Sequence, residues 1–241
     1  MDDSVLRGKN VLVVDDEVDL REIVASELDF MGAIVDQAGN IAAADAILKQ
    51  KKIDLIISDI RMPGGTGIEL LQTVKARNIL TPPVILITGF ADITSEEAYD
   101  YGAEALLNKP FQLDELIQVS ARLLNTPAAR FSSEKNDPEK VIRFDSSQTL
   151  KQTPHFEIGR GGVFICIENN QKFEMGEHVL LNLSFTDTKL NAQGIVRWSK
   201  LSDQEGRLCL GLEFYYIEPE SLQYLLEHWA TPGLAFIPKS R

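Results

Sequence analysis

Five polar side chains in the first half of the chain stand where short apolar runs end. They are Asp15, Asp16, Asp59, Thr88 and Lys109. Adjacent carboxylates such as Asp15 and Asp16 repel each other, and burial penalises each charge further. A bound cation would offset that repulsion, and three carboxylates supply the hard oxygen ligands that Mg²⁺ prefers. These residue types predict a magnesium site, with separate surface carboxylates as the alternative.

The elements that must position these side chains are five rounds of a strand followed by a helix. The predicted strands cover Asn10–Val14, Ala33–Gln37, 53–59, 82–89 and 104–108, and the predicted helices cover 20–31, Ile41–Lys49, Ile68–Ala76, Thr94–Tyr101 and Leu113–Leu124. This alternation is typical of a parallel sheet covered on both faces. Because the carboxyl ends of parallel strands share one edge, the five side chains should converge there.

Length and charge narrow the class of protein. The 241 residues suffice for two modest domains, and the apolar fraction of 44% is that of a folded globular protein. The net charge is −12, of which residues 1–125 carry −10 through 21 Asp and Glu against 11 Lys and Arg. This acidity, with no basic stripe elsewhere, predicts no nucleic-acid binding. A polar start and no apolar run of ~20 residues predict a cytoplasmic protein that does not insert into membranes.

The second half follows a different pattern. Residues 126–140 are polar, lack periodicity and predict a linker. Strands are predicted over 140–144, 162–167, 178–185, 190–198 and 207–214, followed by a helix over Pro219–Trp229. Apolar residues at every second position predict a small antiparallel β-barrel over 141–230, with the helix against it. The tail, 231–241, can either pack or extend.

The two cysteines, Cys166 and Cys209, each lie in an apolar, strand-like segment. We interpret them as small buried side chains in a reducing cytoplasm. A disulfide between them is open in principle, because both lie in the same half of the chain.

Residues 1–125 resemble a response-regulator receiver domain (CheY-like) over their full length. The resemblance is carried by "VDDE", "SDIRMPGGTGIELL", "VILITGFAD" and "GAEALLNKPF". It implies a flavodoxin-like five-stranded parallel sheet with strand order 2-1-3-4-5. It also implies that a sensor histidine kinase phosphorylates Asp59 in a step that requires Mg²⁺.

The resemblance also implies a role for each residue of the site. Asp59 is the nucleophile, and the metal ligands are Asp15, Asp16, Asp59 and the main-chain carbonyl of Arg61. Lys109 supplies a positive charge to the phosphoryl group. Thr88 donates its hydroxyl to the same group and draws its loop inward, which is the switch. Pro110 is expected to follow a cis peptide bond.

One position departs from the family pattern. The family usually carries Tyr or Phe three residues before the lysine, and this chain carries Leu106. We expect Leu106 to take the switch position, where it offers a partner less surface than an aromatic ring. Tyr99 and Tyr101 are nearby substitutes, or one is packed and the other half-exposed.

Residues 141–230 resemble a PilZ domain through "FEIGRGGVFI", "FEMGEHVLLNLSF" and "GIVRWSK". Such domains typically bind cyclic di-GMP through two arginines four positions apart and an Asp-x-Ser-x-x-Gly turn. No two basic residues stand four apart between 126 and 155, and the turn reads "EIGRGG", in which only Gly162 matches squarely. The sequence therefore argues against cyclic di-GMP binding. Arg160 either contacts an anion weakly or is solvated at a tight hairpin.

Together these patterns predict a response regulator that is not an enzyme. Phosphorylation of Asp59 would pass to a PilZ-like output module, which acts on an unidentified protein partner. The alternative is an effector that integrates phosphorylation with cyclic di-GMP.

Overall fold

The structure is a computed structural model that describes residues 3–77, 82–89, 93–131, 137–168, 172–202, 206–228 and 235–238. The chain divides into two compact units, Met1–Thr126 and Pro127–Arg241. None of the described helices is long and apolar enough to cross a bilayer.

The first unit is built on a parallel sheet of five strands. They are β1 (Asn10–Val14), β2 (Ile34–Ala38), β3 (Leu55–Asp59), β4 (Val84–Thr88) and β5 (Ala105–Asn108). The strands lie in the order β2-β1-β3-β4-β5, and each neighbouring pair is parallel. The predicted flavodoxin-like order, 2-1-3-4-5, is confirmed.

Five helices cover this sheet. They are α1 (Val18–Phe30), α2 (Ile41–Gln50), α3 (Gly67–Arg77), α4 (Ser95–Asp100) and α5 (Leu113–Leu124), after a short 3₁₀ turn at Asp3–Leu6. Alternate residues of β1 enter different cores, Val11 and Val13 on one face and Leu12 and Val14 on the other. Burial on both faces explains why these strands are continuous apolar runs.

The second unit contains a six-stranded sheet. Its strands are β6 (Lys140–Asp145), β7 (Phe156–Ile158), β8 (Gly162–Ile167), β9 (His178–Ser184), β10 (Lys189–Leu201) and β11 (Leu208–Ile217), followed by helix α6 (Pro219–His228). Single helical turns lie at Pro127–Arg130 and Leu150–Gln152. The strand order is β6-β9-β10-β11-β8-β7.

The sheet curls, but it is not wholly antiparallel as the sequence predicted. Strand β6 pairs with β9 in parallel, whereas the other pairs are antiparallel. Phe144 on β6 stacks on Phe156 on β7 at 5.6 Å between ring centroids, so the two edge strands approach each other. Apolar periodicity could not specify the direction of β6, because both directions bury the same face.

The predicted role of the cysteines as separate buried side chains is wrong. Cys166 on β8 and Cys209 on β11 form a disulfide, with their Cα atoms 4.0 Å apart. They lie directly opposite each other in the antiparallel pair. Because 43 positions separate them in sequence, only the register of β8 against β11 reveals the pairing.

Parts of the predicted linker and tail are ordered. Phe131, within 126–140, is buried in the core of the second unit and contacts Phe214 edge-on at 6.1 Å. Strand β6 already begins at Lys140. In the tail, Phe236 and Ile237 are fully buried, so the described part of this segment packs against the unit.

Candidate functional site

Three of the predicted site residues meet at the carboxyl edge of the first sheet. Lys109 Nζ lies 2.7 Å from Asp59 Oδ1 and 3.2 Å from Asp15 Oδ2. It also lies 2.9 Å from Glu17 Oε1. One ammonium group therefore contacts three carboxylates from two segments of the chain. The strand-end convergence expected from sequence is present for Asp15, Asp59 and Lys109.

Burial distinguishes the acidic residues of this cluster. Asp15 and Asp59 are 3% and 5% exposed, whereas Asp16 and Glu17 are exposed at the rim. Burial raises the pKa of the Asp15 carboxyl above its ordinary value, and the charge of Asp59 raises it further, against the hydrogen bond from the Glu17 main chain and the charge of Lys109. The buried negative charge is therefore only partly compensated.

Lys109 is held in its charged form. Burial alone would lower the pKa of Lys109, but hydrogen bonds to Asp59 and Glu17, with the charges of Asp15 and Asp59, raise it above its ordinary value. The group is a permanent cation at the mouth of the site. Its own peptide bond to Pro110 is cis, as expected from the resemblance.

The loop after β3 fixes the Asp59 carboxylate. The main-chain N–H of Arg61 donates to Asp59 Oδ2 at 2.7 Å, and the buried Ser58 hydroxyl donates to the Asp59 carbonyl at 2.9 Å. A Cβ on Gly67 would lie 2.2 Å from that carbonyl, so helix α3 can begin this close to β3 only with glycine. The role of the Arg61 carbonyl as a metal ligand stays a prediction.

The predicted switch residues lie on the neighbouring strands β4 and β5. The Thr88 side chain is 3% exposed, and its hydroxyl donates to the Gly89 carbonyl at 2.6 Å. The Thr88 carbonyl accepts from the main-chain N–H of Lys109 at 2.8 Å. Leu106 is half-buried and packs against the core. Tyr99 is buried and Tyr101 half-buried, which agrees with the packed alternative for this pair.

Sequence reasoning missed two residues of the site. Glu17 contacts Lys109, and its signal was available as the third acid in "VDDE". Arg21, one turn into α1, donates from Nη1 to the Asp15 carbonyl at 2.5 Å. No local pattern distinguishes Arg21 from an ordinary solvated residue of an amphipathic helix.

The carboxylate oxygens at the edge of the first sheet are the feature that supports a metal site. Among the residues that the structure describes, no group of three or more His, Cys, Asp or Glu side chains is spaced to hold a metal ion. The donor chemistry nevertheless fits a hard cation, because two buried carboxylates lie on the same lysine, with Asp16 and Glu17 at the rim.

Arg160, for which the sequence predicted either a weak anion contact or a solvated side chain, is half-buried. Its guanidinium lies over the ring of Phe236, 5.7 Å from the centroid. Its main-chain N–H donates to the Ala235 carbonyl at 3.1 Å. An anion contact by Arg160 stays a prediction.

Comparison with known proteins supports the receiver-domain resemblance of the first unit. Residues 11–121 match the family model of the response regulator receiver domain. These residues are a response regulator receiver domain. The match corresponds to β1 through most of α5, and it contains each phosphorylation-site residue predicted from the sequence.

Two curated relatives of this region are bacterial regulatory proteins. The phosphate regulon transcriptional regulatory protein PhoB of Pseudomonas aeruginosa is 34% identical over 112 residues, which cover 46% of this chain and 49% of that protein. The response regulator protein PilR of Pseudomonas aeruginosa is 35% identical over 164 residues, which cover 64% of this chain and 37% of that protein. The chain thus spans half or less of the length of these curated relatives.

Among solved structures, the receiver domain of NtrX from Brucella abortus is 36% identical. The match covers 47% of this chain and 97% of that chain, with a TM-score of 0.45.

Proposed function

We propose that the chain is a two-component response regulator in which Asp59 accepts a phosphoryl group from a sensor histidine kinase. The observation that carries this proposal is the Asp59 carboxylate, buried at the end of β3, with Oδ1 2.7 Å from Lys109 Nζ. A carboxylate so placed in a receiver domain can act as a nucleophile.

The transfer forms one bond and breaks another. An Asp59 oxygen attacks the phosphorus of the phosphohistidine, the N–P bond breaks, and an acyl phosphate forms. Such a transfer depends on positioning and on charge neutralisation more than on covalent assistance. Lys109 supplies positive charge to the phosphoryl oxygens, and the Arg61 N–H holds the carboxylate in position. Thr88 exchanges its hydrogen bond to Gly89 for one to the phosphoryl group.

We further propose Mg²⁺ as the cofactor. Asp15, Asp16 and Asp59 would hold it, with the Arg61 carbonyl as a further ligand. When bound, the ion neutralises phosphoryl oxygens and the acidic residues together. The burial of Asp15 and Asp59 supports this assignment, because burial raises the pKa of the Asp15 carboxyl and a bound cation would offset that cost.

The second unit is, in this proposal, a PilZ-like output module that binds a protein partner and catalyses no reaction. Its support is a curled sheet of six strands with a glycine-containing turn and a following helix. The two-arginine pattern of nucleotide binding is missing from the sequence. Micromolar binding of cyclic di-GMP, measured by calorimetry on the full chain, would contradict this part and favour the integrating effector.

The test of the proposed phosphorylation is the intact mass of the full chain after incubation with acetyl phosphate and Mg²⁺. The wild type should gain one phosphoryl group, and the Asp59→Asn variant should gain none. Asp29→Asn, which removes an exposed carboxylate of α1, is the matched control and should behave as the wild type. EDTA should abolish the gain. Equal labelling of wild type and Asp59→Asn would refute the assignment.

A further inference from the structure

The glycine-containing turn of the second unit, residues 157–162, is covered by the chain's own tail. The N–H of Arg160 donates to the Ala235 carbonyl at 3.1 Å, and the N–H of Gly161 donates to the Phe236 carbonyl at 2.9 Å. Phe236 and Ile237 are both fully buried. The tail segment Ala235–Pro238 therefore binds this turn through main-chain hydrogen bonds and through a buried ring.

The turn requires glycines because the tail segment lies so close to it, and not because of its backbone conformation. Neither Gly159 nor Gly161 has a φ in the left-handed region, so another residue could adopt either backbone geometry. A Cβ on Gly161, however, would lie 1.9 Å from the Phe236 ring. A Cβ on Gly159 would lie 2.4 Å from the Phe236 carbonyl oxygen. The two positions together form a slot without side chains, which holds an aromatic ring on a segment that bends at Phe236 and Ile237.

The slot also lies outside the main core of the second unit. The buried cluster of that unit joins strands β6 to β11 and helix α6, and it contains neither Phe236 nor Ile237. Removing the tail segment would therefore uncover the turn without opening the core. The Arg160 guanidinium, 5.7 Å above the ring, adds a cation–π contact that an incoming aromatic side chain could also make.

We propose that the turn at 157–162 is the peptide-binding site of the output module, and that residues 235–238 occupy it in cis until a partner segment replaces them. The inference rests on the proposed role of this unit in protein interaction. The partner segment it fits is apolar and bends as residues 236–237 do, with one phenyl-type ring and two carbonyl groups placed to accept from the turn. Main-chain hydrogen bonds supply affinity, and the ring slot supplies specificity, as in other peptide sites of this kind.

A tail on the same chain competes strongly with a free segment. Because the segment and the site belong to one chain, binding is intramolecular, at an effective concentration that the connecting length sets. Six residues, 229–234, separate the helix α6 boundary from the segment. Weakening the tail should therefore increase apparent affinity for a peptide in trans by about tenfold or more, because the open fraction of the site rises.

The experiment titrates an acetylated peptide of sequence GLAFIPK, residues 233–239, into the full chain. Phe236→Ala should bind it about tenfold more tightly than the wild type. Phe30→Ala, which removes an 82% exposed ring in the first unit, is the matched control and should behave as the wild type. A peptide with Ala in place of the Phe should not bind.

Hydrogen exchange of the Gly161 amide provides a second measurement. The amide should be protected in the wild type, exchange faster in Phe236→Ala, and regain protection when the peptide is added. Gly161→Ala combined with Phe236→Ala should bind no peptide, because the added methyl group fills the slot.

Absence of peptide binding to Phe236→Ala, or binding of equal strength to the wild type, would overturn the inference. Unchanged binding by the double variant would do the same. These titrations need no phosphoryl donor, so their failure is distinguishable from a failure of Asp59 phosphorylation.

Discussion

At the scale of single residues, the receiver site is a balance of buried charges around Lys109. Asp15 and Asp59 are both nearly inaccessible to solvent, and their one lysine also contacts Glu17 at the rim. Functional sites commonly keep such unfavourable arrangements, because chemistry needs the charges that stability would remove. The raised pKa of Asp15 is the measurable sign of that conflict.

Replacing Asp15 by Asn should stabilise the receiver domain at pH 7 by about 1 kcal/mol. The pKa of Asp15 is raised in the folded state, so its ionisation destabilises that state at pH values above the folded pKa. This gain in unfolding free energy should shrink as pH falls through the folded-state pKa of Asp15 towards the ordinary value of 3.8. Urea denaturation at several pH values tests this. Asp29→Asn is the control, and a gain that grows on acidification would contradict the prediction.

At the scale of elements, a buried ion pair joins the end of α3 to strands β4 and β5. Lys75 Nζ lies 2.6 Å from Glu104 Oε1 and donates to the Pro82 carbonyl at 3.0 Å. The other Glu104 oxygen accepts from the Val84 N–H at 2.8 Å. Both side chains are at most 1% exposed. The pair thus joins these elements at the amino ends of β4 and β5, the edge opposite the carboxyl ends of the strands.

The Glu104→Gln variant should lose about 3 kcal/mol of unfolding free energy, because it leaves the Lys75 ammonium buried without its carboxylate. Adding Lys75→Met should recover part of the loss, since no charge then remains buried. Urea denaturation followed by circular dichroism measures both. Asp45→Asn, which removes the exposed pairs with Lys49 and Arg77, is the control and should have a much smaller effect. A Glu104→Gln/Lys75→Met double variant no more stable than Glu104→Gln alone would contradict this prediction.

At the scale of the whole molecule, the chain contains two units of different architecture. A parallel sheet with helices on both faces carries the proposed phosphoacceptor, and a curled, mostly antiparallel sheet carries the proposed peptide site. The segment 126–140 spans the boundary between the two units. The order seen at Phe131 shows that part of this segment belongs to the second unit.

Occupation of Asp59 by a beryllofluoride mimic should change tryptic cleavage within 126–140. The expected reason is that the switch at Thr88 and Leu106 alters the surface available to the rest of the chain. Mass spectrometry of timed digests gives the measurement. The Asp59→Asn variant should show the same digestion with and without the mimic. Identical digestion of the wild type in both conditions would count against communication between the units.

Local patterns in the sequence were enough to predict the first sheet and its strand-end site. Apolar periodicity located β1 to β5, and parallel connectivity requires that Asp15, Asp59 and Lys109 share one edge. The same reasoning identified the strands of the second unit, because alternation of buried and exposed residues is a local property.

Tertiary structure alone decided the contacts between distant segments. The Cys166–Cys209 disulfide, the parallel pairing of β6 and the contact of Glu17 with Lys109 depend on register and direction. The cover of Gly161 by Phe236 is another such contact. These contacts join residues far apart in the chain. A local pattern predicts which face of an element a side chain lies on, but not which distant residue it contacts there.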